Sequence, residues 1–174
     1  PFYTIDRGCY FAILPTATPY ARNALFAGSF PADIQKQSPD WWLERSRDEF
    51  SKNRFEQNLL QSHLARSGLG GATFKYIKIY EIDEANEIRK QVDSYRTLDL
   101  VAMVFNCLDI LAHGRSQSEI LQGIAPDESA FRSLMRSWFV HSALFDILQR
   151  IAKQGAAVII TTDHGSVLGA RASL

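Results

Sequence analysis

The chain is 174 residues long, enough for one domain of ordinary size with a substantial core. Hydrophobic residues make up 46% and charged residues 22%, close to the globular average, which argues against a disordered chain. Lys plus Arg (19) equals Asp plus Glu (19), so charge offers no case for DNA or a membrane as the main partner, while a small phosphorylated ligand held by metal ions needs only local charge.

Residues 10–14 read as a strand ended by Pro15, which cannot donate to a ladder. The run Pro15-Thr16-Ala17-Thr18-Pro19 leads into a helix over residues 20–27, with Thr18 near its N-cap, Pro19 in its first turn and Gly28 closing it. Hydroxyls and free backbone N–H groups then stand together, an arrangement that suits an anion. Simple capping by Thr18 is the plainer alternative. Residues 29–44 look irregular, with Trp41 and Trp42 anchoring a loop against a core. A helix is predicted over 45–66, keeping Phe50, Phe55, Leu59 and Leu60 near one face, and Gly68, Gly70 and Gly71 break it. His63 has no neighbouring ligand there and reads as structural or exposed.

Residues 73–80 alternate as a strand, nearer a sheet edge because both faces carry a lysine. A short polar helix over 83–92 and a buried strand over 98–105 follow. Pro126-Asp127-Glu128-Ser129 opens a helix predicted to run from 128 to 153, within which His141 reads as a packed or hydrogen-bonded residue. After Gly155, residues 158–162 are five β-favouring residues, continuously apolar at the start, which suggests a strand buried on both faces. Alternating strands and helices predict a layered α/β fold. The two cysteines, Cys9 and Cys107, lack CxxC spacing and read as buried reduced thiols. No signal region and no bilayer-length apolar run is present, so a cytoplasmic location is the expectation.

Chemistry-bearing side chains follow three of the predicted strands. Thr18 comes after the first, Asp109 and His113 after the strand over 98–105, and Asp163 and His164 after the last. Parallel strands would bring their C-terminal ends to one sheet edge, where ligands bind in open α/β sheets. Asp109 and His113 are four apart, so a helical turn would let them chelate one ion. Asp163 and His164 are adjacent and reach one ion only from an irregular loop, which Gly165 permits; a turn in which Asp163 caps and His164 is exposed is the alternative. Carboxylate and imidazole suit zinc or manganese, and two such ions about 4 Å apart would clamp a phosphate. A threonine hydroxyl beside a metal has its pKa lowered and becomes a nucleophile.

Thr-Asp-His-Gly near a strand end, Asp-x-x-x-His before it and Pro-Thr-x-Thr-Pro opening a helix resemble the alkaline phosphatase superfamily. Within it, residues 14–24 (Leu-Pro-Thr-Ala-Thr-Pro-Tyr-Ala-Arg-Asn-Ala) and 109–116 (Asp-Ile-Leu-Ala-His-Gly-Arg-Ser) resemble the PglZ domain of PorX-type proteins, bacterial response regulators linked to type IX secretion. The likeness extends to Ala125-Pro126-Asp127-Glu128 and Arg136-Ser137-Trp138-Phe139. It implies a three-layer α/β sandwich with a mostly parallel sheet and a metal-dependent phosphodiesterase or phosphatase acting on a phosphate ester, including nucleotide-type esters. It implies two divalent ions, zinc or manganese. Asp109 and His113 would hold one, Asp163 and His164 the other, with Thr18 as nucleophile and Thr16 as its fallback. Arg22 and Asn23 would contact phosphate. The implied partners are a sensor kinase and secretion or transcription factors, with a homodimer allowed and no membrane. The alternative is a nucleotide-sensing and protein-interaction module with little or no turnover. The family also supplies an Asp before the Thr motif and a His after Asp-His-Gly; Asp6 is too close to the first predicted strand, and no His follows His164. The expectation is therefore that residues 1–174 are the central part of one such domain.

Overall fold

The computed structural model describes residues 3–42 and 53–165, arranged in two compact units. One contains residues 73–158 and the other residues 6–72 with 159–167.

The first of these is a mixed α/β unit. Strand β1 (Phe74–Ile79) pairs in parallel with β2 (Leu100–Phe105), in a register that sets Phe74 against Leu100 and Ile79 against Phe105. Parallel neighbours need a crossover, and a helix supplies it here, over Ile82–Gln91. That helix begins in a capping box: the Glu81 side chain accepts from the backbone of Glu84, and the Glu84 side chain accepts from Glu81 N–H. The two strands bury Ile77 and Ile79 with Val92, Tyr95 and Ile147, the last brought by a helix over Ala143–Lys153. Lys75 keeps its place beside this apolar set by laying its ammonium 4.4 Å from the centre of the Tyr95 ring. Asp99 ties the start of the ladder, accepting from the N–H and hydroxyl of Thr73, and these bonds hold its carboxyl below the ordinary range.

The second unit is helical. Helix α1 (Thr18–Ala27) ends at Gly28, whose φ of 57° lets its N–H reach Ala24 O. His63 closes on the same turn, so a Cβ at Gly28 would meet the imidazole ring. Helix α2 (Pro31–Gln37) and a 3-10 turn (Pro39–Trp41) follow, then α3 (Glu56–Arg66). Ala27, Ile34 and Leu59 form the core, with Trp41 and Trp42 packed on it. The tryptophans thus anchor the connection, as their sequence position predicts.

Several expectations are corrected. Residues 10–14 and 158–162 form no ladder among the described residues, and Phe11 (101% exposed) and Ile159 (91%) face outward. Their β-favouring side chains fit a pleated surface, yet a strand exists only where a neighbour takes its N–H and C=O groups. The segments 29–44 were predicted irregular; Pro31 at the first turn and Asp33 behind it instead nucleate α2. The long helix over 128–153 is two, Glu128–Val140 and Ala143–Lys153, because the Ser142 hydroxyl accepts from Phe145 N–H and starts a new helix after His141. Ser118 caps an unanticipated helix over Glu119–Ile124 in the same way. Cys9 is exposed, against its predicted burial, since the segment around it is not a core strand; Cys107 is half-buried. Of the helix predicted over 45–66, residues 45–52, including Phe50, lie outside the described residues. Among the described residues no helix is long and apolar enough to cross a membrane.

Candidate functional site

The first turn of α1 is built differently from its predicted cap. Ala17 is the N-cap, in extended conformation, and makes no side-chain bond; Thr18 is already the first helical residue and Pro19 the second. Pro19 fits because its missing N–H would have no intrahelical partner there. The Thr18 hydroxyl is consequently released from capping and turns outward from the helix end. Its Oγ1 lies 3.0 Å from His164 Nε2.

His164 is held in one tautomer. Its Nδ1 is 3.0 Å from Gly165 O, an atom that only accepts, so Nδ1 donates there, and in the neutral ring Nε2 is the acceptor. Thr18 O–H therefore donates to Nε2. The Thr162 hydroxyl donates to His164 O at 2.7 Å, fixing the backbone of the same loop. Tyr10 OH sits 2.6 Å from Thr161 Oγ1 and also bonds Thr162 O, so the two segments meet through the tyrosine where the ladder is absent.

Asp163 completes the group. Its Oδ2 is buried without a hydrogen-bond partner and stands 3.8 Å from His164 Nε2, with side-chain exposures of 14% and 19%. A buried acceptor left unpaired costs about 1–3 kcal/mol. A cation seated against Oδ2 and Nε2 removes that cost, and one carboxylate oxygen, one imidazole nitrogen and one hydroxyl form a donor set of the kind zinc and manganese accept. The residues present fit such an ion. Taken within either unit, the described residues gather no three His, Cys, Asp or Glu side chains, so the carboxylate and imidazole are joined here by the threonine.

Asp109 and His113 lie in the other unit. Both stand on a helix over Cys107–Gln117, Asp109 in its first turn and half-buried, His113 one turn later and exposed. Arg22 and Asn23, predicted to contact phosphate, are committed inward. Arg22 Nε donates to Glu56 Oε1 at 2.5 Å, and Asn23 Nδ2 donates to Pro19 O at 2.8 Å. Thr16 is exposed, ahead of the helix. Beside Asp163 opens a cleft of about 420 Å³, floored by Ala21 and Ala24 and walled by Tyr10, Phe11 and Phe30.

Comparison with known proteins bears on this geometry. A family model described as the BREX system PglZ alkaline phosphatase-like domain matches residues 3–172. The chain belongs to the PglZ family. No curated protein matches it. Membership of the PglZ family places the chain in an alkaline-phosphatase-like α/β superfamily whose chemistry is that of phosphoesterases. Superfamily members typically use divalent metals.

Two residues at the site escaped sequence reasoning. Glu56 and Asn53 are buried beneath Thr18, at 0% and 2% exposure. A signal was available for Glu56: it precedes Leu59 and Leu60 by three and four positions, which puts a carboxylate on the apolar stripe of its helix. Asn53 carries no comparable signal.

Proposed function

We propose that this chain is a metal-dependent hydrolase of phosphate esters, diesters in preference to monoesters, that works through Thr18 as nucleophile. The observation that carries the reading is the Thr18 hydroxyl at 3.0 Å from Nε2 of His164, beside the unpaired buried Oδ2 of Asp163. Asp163 and His164 would hold a divalent ion, whose positive charge would lower the pKa of the hydroxyl and neutralise the phosphate oxygens. Thr18 Oγ1 then forms a bond to phosphorus while its proton passes to solvent. The bond from phosphorus to the leaving oxygen breaks, and the leaving alcohol takes a proton from water. Water next attacks the phosphoryl group on Thr18, releasing phosphate or its monoester and restoring the hydroxyl. Asp109 and His113 are proposed as ligands of a second ion, on the strength of their i, i+4 spacing on one helix.

The runs over residues 14–24 and 109–116 support a finer assignment, the output domain of a PorX-type response regulator, with nucleotide-type esters as the substrate class and a zinc pair as cofactor. The cleft beside Asp163 favours one second reading, a nucleotide-sensing module with little turnover. Purification without added metal tests the main proposal. Zinc or manganese copurifies, and Thr18→Val lowers phosphodiester hydrolysis at least about 100-fold. Absence of both metals together with unchanged turnover in Thr18→Val contradicts it. Retained ligand binding with negligible turnover in the wild type selects the sensing module.

A further inference from the structure

Behind Thr18 lies a cluster of polar side chains with no evident use in packing. Glu56, Asn53 and Asn23 are 0%, 2% and 2% exposed, and the Arg22 side chain that pairs with Glu56 is 11% exposed. A buried ion pair with two buried amides is a poor way to gain stability, because well-packed apolar residues of similar volume commonly serve as well or better. Two of these polar side chains bond the first turn of α1. Asn53 Nδ2 donates to Thr18 O at 3.3 Å and to Asn23 Oδ1 at 3.2 Å, and Asn23 Nδ2 donates to Pro19 O at 2.8 Å. The carbonyls of the first two helical residues are thus gripped by side chains, at a helix start that has no side-chain cap of its own. Arg22 continues the chain from the next turn of α1 into α3 through Glu56.

We propose that Asn53, Asn23 and the Arg22–Glu56 pair are positioning residues that lock the first turn of α1 so that Thr18 Oγ1 stays turned toward His164. The proposal rests on the reading of Thr18 as nucleophile and gives Arg22 and Asn23 a different task from phosphate contact. Substrate affinity should not depend on the cluster, since its side chains are at most 11% exposed. What depends on it is the fraction of time the hydroxyl spends in line with phosphorus. A misplacement of about 1 Å costs on the order of 100-fold in rate.

The test uses Asn53→Asp, which replaces both amide donors by acceptors at constant size, and Glu56→Gln, which removes the charge that holds Arg22. Each variant of the intact protein is measured for kcat and KM on bis(p-nitrophenyl) phosphate, for bound zinc and manganese, and for its melting temperature. We expect kcat to fall about 10- to 100-fold with KM within about twofold and metal content unchanged. If Asn53→Asp does not fold, Glu56→Gln carries the test. Wild-type kcat in a folded variant, while Thr18→Val is inactive, overturns the positioning role and leaves the nucleophile standing. Loss of kcat, KM and metal content in step with melting temperature, or failure of both variants to fold, makes the cluster purely structural and also overturns it. Wild-type turnover in Thr18→Val instead contradicts the underlying reading.

Discussion

Cys107 and Cys9 differ in ways that chemistry can read directly. Cys107 stands half-buried at the start of its helix, and burial pushes its thiol above the ordinary range, with the neighbouring Asp109 carboxylate adding to the rise. Cys9 is exposed. Because the thiolate is the reactive form, a maleimide at neutral pH should label Cys9 at least about tenfold faster than Cys107, followed by peptide mass mapping. Equal labelling rates would contradict the burial of Cys107. The same scale shows what a sequence reveals about a site. Asp163, His164 and Thr18 could be singled out from residue type and spacing, because few side chains serve as ligand or nucleophile. Their placement depends on local detail: Ala17 takes the cap position, and Gly165 O accepts from Nδ1 of His164. Arg22 donates to Glu56 and Asn23 to Pro19 O, bonds within the fold that residue type alone does not foretell.

At the scale of elements, the helix over Ile82–Gln91 offers a pH test. Glu84 accepts from Tyr80 N–H at 2.7 Å and Glu81 N–H at 3.1 Å, and these two bonds hold its carboxyl below the ordinary carboxylate range. A depressed folded-state pKa contributes stability above the unfolded-state value, and that stability is lost as pH falls through the folded-state value. Glu84→Ala should therefore cost about 0.5–1 kcal/mol in urea denaturation at pH 7, the low end of the range for caps because the group is exposed. The gap between wild type and variant should narrow as pH is lowered through the carboxylate range. A gap that widens on acidification would contradict the assignment. Elements whose signals are local were legible: β1, β2 and the helix between them follow from alternation, apolar runs and acidic first turns. The two hydroxyl caps at Ser118 and Ser142 were missed because a serine in an apolar-periodic stretch breaks the pattern no more than any polar residue does; only its bond to the N–H three residues on marks a boundary. Residues 10–14 and 158–162 failed for the opposite reason, since strand formation is a property of a pair of segments and their composition describes only one side of it.

For the molecule as a whole, the class was readable and the division was not. A mixed α/β chain with parallel strands follows from the order of elements, and the PglZ family match over residues 3–172 agrees with it. Two separate cores, one around Ile77, Ile79, Val92, Tyr95 and Ile147 and one around Ala27, Ile34 and Leu59, have no marker in composition, because both draw on the same apolar residues. Asp163 and His164 belong to the helical unit and meet Thr18 there, 146 positions away in sequence from His164. That contact is the centre of the functional account. The most direct measurement is to quench the intact protein during hydrolysis of an aryl phosphodiester and map the phosphorylated peptide by mass spectrometry. The account predicts a phosphoryl adduct on Thr18 that appears only with divalent metal and is absent in Thr18→Val. An adduct on another residue, or steady hydrolysis by Thr18→Val at the wild-type rate, would contradict it.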